Sequence, residues 1–216
     1  MQKRTALLIG ASGLVGSHCL QQLLADDDYE KVIILSRREL SVTHTKLEQH
    51  IFDFSTLREH KDVIKAYDIY CCLGTTVKKA KTKKAYWNVD VAYPIETGKI
   101  ALENGASQYL IVTAMGADKR SLIPYNRTKG VVEAGIRALQ YKAIHIFRPS
   151  FITGDRQEYR MLEEGAKKVM KVIGFAFIGP FKRFKPNHAG DIAKAMIRAA
   201  KSGEAGVHVH TAKEMH

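Results

Sequence analysis

The chain has 216 residues, 45% of them hydrophobic and 26% charged, the proportions of a soluble globular protein large enough to bury one core without disulfides or metals. No stretch supplies the ~20 consecutive apolar residues of a membrane-spanning helix, and the apolar run behind Met1-Gln2-Lys3-Arg4 is too short for a secretory signal. A net charge of +12 points to an anionic ligand, nucleic acid, an acidic partner or simple solubility.

Thr5-Ala6-Leu7-Leu8-Ile9 reads as a buried strand, followed by Gly10-Ala11-Ser12-Gly13-Leu14-Val15-Gly16 and a helix ending near Ala25. Small residues at 10, 13 and 16 let the chain bend and let a pyrophosphate reach backbone amides at the positive end of the helix, as in a dinucleotide-binding loop. The spacing Gly-x-x-Gly-x-x-Gly differs from the commoner Gly-x-Gly-x-x-Gly, and an ordinary strand-to-helix turn is the plainer reading. Cys19, Cys71 and Cys72 show no metal or disulfide spacing and read as buried thiols of a reducing compartment, with the cytoplasm expected.

A second strand, 31–35, ends in Ser36-Arg37-Arg38. An acidic residue there would bind the adenosine ribose of NAD, whereas arginine suits the 2′-phosphate of NADP; otherwise the two arginines are surface residues at a strand end. Residues 47–53 form a third strand, and Asp53 either meets an adenine amino group or caps a helix that starts Ser55-Thr56-Leu57. The fourth strand, 67–73, stops at Gly74-Thr75-Thr76, where glycine permits close approach to a ligand. The lysine run Lys78, Lys79, Lys81, Lys83 and Lys84 comes next, then a helix from about Lys83 to Asn104 that Pro94 should kink or split.

The fifth strand, 109–113, ends in Thr113, whose hydroxyl either binds a substrate carbonyl oxygen or is ordinary β-branched filling. Pro124 opens a helix that carries Tyr125 and Lys129 on one face. An ammonium beside a phenol stabilises the phenolate and brings a poor acid toward its working range, and the same lysine can hold a nicotinamide ribose. Tyr125 alone among the nine tyrosines has a lysine four residues on. A sixth strand, 143–147, leads to Arg148-Pro149. Residues 156–186, with a helix over 158–171 and an apolar segment over 172–180, should shape the substrate or partner side. A helix from Asp191 and a last strand, 207–210, complete the pattern, with His208 and His210 on one face and no metal-ligand set. A second basic run holds Lys167, Lys168, Lys171, Lys182, Arg183 and Lys185; both runs read as solvated faces and not as a nucleic-acid module.

Together, Gly10 to Gly16, the Asp53 strand end, Tyr125 with Lys129, and Arg148-Pro149 resemble the short-chain dehydrogenase/reductase superfamily over nearly the whole chain. Cys71-Cys72-Leu73-Gly74-Thr75-Thr76, Met115-Gly116-Ala117-Asp118-Lys119, Phe147-Arg148-Pro149 and Asp155-Arg156-Gln157-Glu158 resemble, more narrowly, its atypical branch containing Tat-interacting protein of 30 kDa. The resemblance implies one domain over 1–216, a doubly wound parallel sheet of the Rossmann fold with a small C-terminal extension on the substrate side. It also implies a pyrophosphate surrounded by Gly10, Ser12, Gly13, Leu14, Val15 and Gly16, and a 2′-phosphate at Arg37 and Arg38. Adenine would lie at Asp53 and Phe54, the ribose side at Leu73, Gly74 and Thr75, and the nicotinamide near Pro149. Tyr125 and Lys129 would serve catalysis, with Thr113 in place of the usual serine. Cys-Leu-Gly-Thr stands where catalytic members carry Asn-Asn-Ala-Gly. The expected activity is an NADPH-dependent oxidoreductase acting on an unidentified carbonyl or related electrophile. The alternative is a non-catalytic NADPH-binding sensor with a regulatory protein partner.

Overall fold

Arg4–Ile9 forms β1, in which Ala6, Leu7, Leu8 and Ile9 are wholly buried. Strand side chains alternate, so Ala6 and Leu8 enter one apolar cluster while Leu7 and Ile9 enter another on the opposite face. Each such aliphatic side chain contributes about 1.5–3 kcal/mol on burial, and both layers of the fold are built on this strand.

The computed structural model describes residues 3–154 and 186–215. The expected helix over 158–171, the apolar segment over 172–180, the second basic run and the Asp155 to Glu158 motif lie outside the described residues. The elements after β1 are α1 (Leu14–Ala25), β2 (Tyr29–Ser36), β3 (Leu47–Ile51), β4 (Asp68–Cys71), α2 (Val77–Ala80), α3 (Lys83–Trp87) and α4 (Tyr93–Glu103). They continue with β5 (Gln108–Val112), α5 (Pro124–Arg137), β6 (Ala143–Arg148), β7 (Ile152–Thr153), β8 (Asn187–His188), α6 (Ala189–Ser202) and β9 (Gly206–Thr211). The main sheet runs β3-β2-β1-β4-β5-β6-β9 with every pair parallel, and β7 pairs with β8 separately. Helices α1 and α6 cover one face; α4 and α5 cover the other. This is the expected doubly wound Rossmann arrangement. No helix among the described residues is long and apolar enough to cross a membrane.

The chain leaves β1 toward β2 and β3, then returns to place β4 on the other side of β1. The C-terminal ends of β1 and β4 therefore diverge, and ligands of open parallel sheets bind in the crevice at such a switch point. At the opposite end of the sheet, Asp68 accepts from the Tyr29 hydroxyl at 2.8 Å and from Arg4 at 3.3 Å. Arg4 and Gln108 both donate to the carbonyl of Ala200, tying α6 to the sheet. Burial raises the Asp68 carboxyl to about 6, and its Oδ1 and the Gln108 Oε1 find no hydrogen-bond partner among the described residues.

Three element expectations change in the structure. The third strand stops at Ile51, because Asp53 turns the chain into a 3-10 turn, Phe54–Thr56. The lysine run is helical on either side of Lys81: Thr76 and Thr82 accept from Lys79 and Ala85 amides and start two short helices. The helix expected from Lys83 to Asn104 is interrupted by a π-helical turn, Asn88–Ala92, closed by a bond from the Tyr93 amide to the Asn88 carbonyl. Pro94 explains the interruption: it has no N–H for the Asp90 carbonyl, and its ring would crowd that carbonyl in an α-helix.

Candidate cofactor and active site

Gly10 has φ +86°, and a Cβ there would lie 2.6 Å from the carbonyl carbon of Cys72. A Cβ on Gly16 would lie 2.0 Å from the Gly10 carbonyl oxygen. Glycine at both positions lets the loop close onto the ends of β1 and β4. Helix α1 starts on Gly13, which has no side chain to cap its first turn, so the amides of Leu14, Val15 and Gly16 face the crevice as donors. Ser12 is exposed at the loop tip, while Val15 and Gly16 are buried and offer backbone only. This is the geometry a pyrophosphate fits.

Arg37 and Arg38 are exposed just past β2, and the Arg37 charge reaches Asp53. Asp53 takes its capping role, accepting from the Ser55 amide at 2.8 Å and the Ser55 hydroxyl at 2.6 Å. Those bonds hold its carboxyl below the usual range, with the Arg37 charge helping. Phe54 is 6% exposed, and its ring packs in the core 5.5 Å from the Tyr93 ring.

Across the crevice, Leu73 and Thr75 are half-buried and Gly74 is exposed. The π turn aims Asp90 at them. Asp90 is 1% exposed, and its Oδ2 accepts from the Thr75 amide at 2.9 Å while its Oδ1 accepts from Lys129 Nζ at 2.7 Å. The same Nζ lies 5.9 Å from the centre of the Tyr125 ring. Burial works against the Lys129 ammonium, but the charge and hydrogen bond of Asp90 more than offset it and hold lysine above its ordinary range. Tyr125 itself is 47% exposed. Tyr86 on α3 faces the same group: burial and the Asp90 charge push its phenol up, so it is a donor at neutral pH.

Thr113 directly follows β5. It is 4% exposed and donates to Glu133 Oε1 at 2.7 Å and toward the Phe147 carbonyl at 3.3 Å. Glu133 is held in turn by Arg148, whose Nε donates to it at 3.0 Å. The hydroxyl thus joins β5, α5 and β6. Pro149 is buried, and its carbonyl accepts from the Met115 amide at 2.9 Å. Gly130 lets the 118–119 backbone cross α5 beside Lys129, since a Cβ there would lie 2.1 Å from the Lys119 amide.

Asp90, Glu133 and Tyr86 are the site residues that sequence reasoning missed. Asp90 carried a usable signal, as the one acidic residue between positions 69 and 95. His208 and His210 do share a face, where both rings stack on His145, at 5.1 and 5.3 Å.

A glycine turn opening a helix at the β1/β4 switch, facing a tyrosine–lysine pair, defines a nucleotide-site Rossmann protein of the short-chain dehydrogenase/reductase kind. Residues 6–214 match the NAD dependent epimerase/dehydratase family, and the chain belongs to it. Protein HTATIP2 of Rattus norvegicus is 33% identical over 172 residues, covering 78% of this chain and 71% of that protein. Protein fmp52-1, mitochondrial, of Aspergillus terreus is 32% identical over 200 residues, covering 89% and 85%. These relatives place the chain in the atypical branch that its motifs resemble. Among solved structures, MoeE5 in complex with UDP-glucose and NAD superposes with a TM-score of 0.73 at 16% identity, over 96% of this chain and 75% of that one. A short chain dehydrogenase family protein from Francisella tularensis gives 0.67 at 16% identity, over 98% of each. At such identities the likeness is one of fold.

Proposed function

We propose that this protein is an NADPH-dependent reductase of an unidentified carbonyl or related electrophile. The observation that carries the reading is the Lys129 ammonium 5.9 Å from the Tyr125 ring, on the same edge of the sheet as the glycine loop. NADPH, when bound, would supply the hydride. The loop amides of Leu14, Val15 and Gly16 would hold the pyrophosphate, Arg37 and Arg38 the 2′-phosphate, and Lys129 the nicotinamide ribose. Tyr125, half-exposed, would donate its phenolic proton to the oxygen on which negative charge develops, with Lys129 nearby to stabilise the phenolate left behind.

Thr113 favours a second reading, because its hydroxyl is committed to Glu133 and leaves the site without the donor expected beside Tyr125. In that reading the protein binds NADPH and reports redox state to a protein partner without turnover. Tyr125→Phe separates the two. A reductase loses at least ~10² in NADPH oxidation, the lower end of general acid catalysis, with NADPH affinity nearly unchanged. A wild type that binds NADPH and stays inert across aldehydes, ketones and quinones supports the sensor, and equal rates for both forms exclude Tyr125 as the acid. The free cysteines Cys19, Cys71 and Cys72 suit a reducing compartment, and we assign the cytoplasm. The name of the fungal relative carries the word mitochondrial, and cell fractionation decides between the two compartments.

A further inference from the structure

Asp90 sits where an unpaired carboxylate would be very costly, and its two oxygens meet two different parts of the site. Lys129 Nζ lies 2.7 Å from Oδ1 and the Thr75 amide 2.9 Å from Oδ2. Both members of the ion pair are buried, Asp90 at 1% and Lys129 at 5% exposure. The turn packs directly on the pair, since a Cβ on Gly74 would lie 3.7 Å from Lys129 Nζ and 3.9 Å from Asp90 Oδ1. A lysine has four flexible methylenes and a strongly hydrated head, so left to itself it would reach for water or lose its proton on burial.

We propose that Asp90 is the positioning residue of this site, holding the Lys129 ammonium and the Gly74-Thr75 turn in one arrangement and acting on a bound dinucleotide only through them. The inference rests on the dinucleotide reading above. It assigns a role to the position four residues before Pro94, and it makes the π turn part of the site. The pair is also net neutral, so Tyr125 faces an ammonium whose charge is shared with a carboxylate and not a bare cation.

Asn in place of Asp can still accept from the Thr75 amide but leaves the buried ammonium without its counter-charge. The test is a cycle of wild type, Asp90→Asn, Lys129→Met and the double variant, with two readouts. The first is labelling of Lys129 by a limiting N-hydroxysuccinimide ester, followed by mass spectrometry, which needs no dinucleotide. Asp90→Asn should raise labelling at least tenfold, and unchanged labelling overturns the proposal. The second is NADPH affinity by fluorescence titration. Asp90→Asn should weaken binding at least tenfold, while the double variant should bind as Lys129→Met does. A further tenfold loss in the double variant would show that Asp90 acts independently of Lys129 and overturn the proposal. Should Asp90→Asn fail to fold, the comparison of Lys129→Met with the double variant, which removes both charges, decides alone. A wild type that binds neither NADPH nor NADH would refute the dinucleotide reading and, with it, the action on a dinucleotide, while the labelling result reports separately on the pair.

Discussion

Arg37 and Arg38 are exposed just past β2, and the Asp53 carboxylate, in reach of the Arg37 charge, already accepts from Ser55. If the 2′-phosphate of the proposed function meets these side chains, each charge-assisted hydrogen bond is worth about 1.5–3 kcal/mol. The double variant Arg37→Ala/Arg38→Ala should lose at least tenfold in NADPH affinity while NADH affinity stays within about twofold. Equal losses for both dinucleotides would remove the 2′-phosphate from these side chains. Tyr125 and Lys129 were legible at this scale because four residues is about one helical turn, so sequence spacing alone predicts adjacency. Thr113 was not, because a strand-end hydroxyl can face either side of the sheet, and only the positions of Glu133 and Arg148 decide which.

Between Thr82 and Glu103 the chain is a helix broken by one wide turn, and its cause is local. Pro94 cannot donate to the Asp90 carbonyl, and the backbone accommodates it with a bond from Tyr93 to Asn88. The inserted residue rotates the helical turns on its N-terminal side relative to α4, which is how Asp90 comes to face α5. The Pro94 carbonyl is itself anchored by the Tyr109 hydroxyl at 2.8 Å, so α4 is fixed at its start. Pro94→Ala restores the missing N–H and allows an α-helical path. We expect the variant to keep its helical circular dichroism yet to label at Lys129 at least several-fold faster than wild type, as Asp90 turns away. Wild-type protection of Lys129 in this variant would show that neighbouring packing, and not the proline, sets the turn. The sequence marked the break at Pro94 but not its geometry, since proline can kink, split or widen a helix and the surrounding packing selects among these.

Two buried groups at different places contribute opposing acid responses. Asp68 is raised from 3.8 to about 6, first by burial. The folded state then binds a proton that the unfolded state has lost, so its contribution is present below about pH 4 and declines as pH rises through about 6. His145 is lowered from 6.5 to about 4 by burial and the nearby charges of His210 and His208. Its contribution is present above about pH 6.5 and is lost as pH falls toward about 4. The slopes oppose one another between about pH 4 and 6. Relative to wild type, Asp68→Asn should make stability climb more steeply with pH over that interval, and His145→Phe should make it fall. Urea unfolding midpoints at half-unit steps measure this, and parallel curves for all three proteins would show that neither group titrates with folding.

By itself the sequence determined the succession of the seven main-sheet strands along the chain, the glycine loop at the end of β1, the Tyr125–Lys129 turn and the Rossmann class. All of these rest on short-range rules: apolar runs bury, glycine permits a close turn, and residues four apart share a helical face. Only the tertiary structure decided which polar groups meet across elements. It gave Asp53 to Ser55 two residues away and Phe54 to Tyr93, sent Thr113 to Glu133, and set Asp90 against both Lys129 and Thr75. The partners in the last three contacts are 15 to 39 residues apart. A buried polar group needs a partner, but its type says nothing of where along the chain that partner lies; the parallel sheet, which gathers the C-terminal ends of distant strands on one edge, supplies that answer.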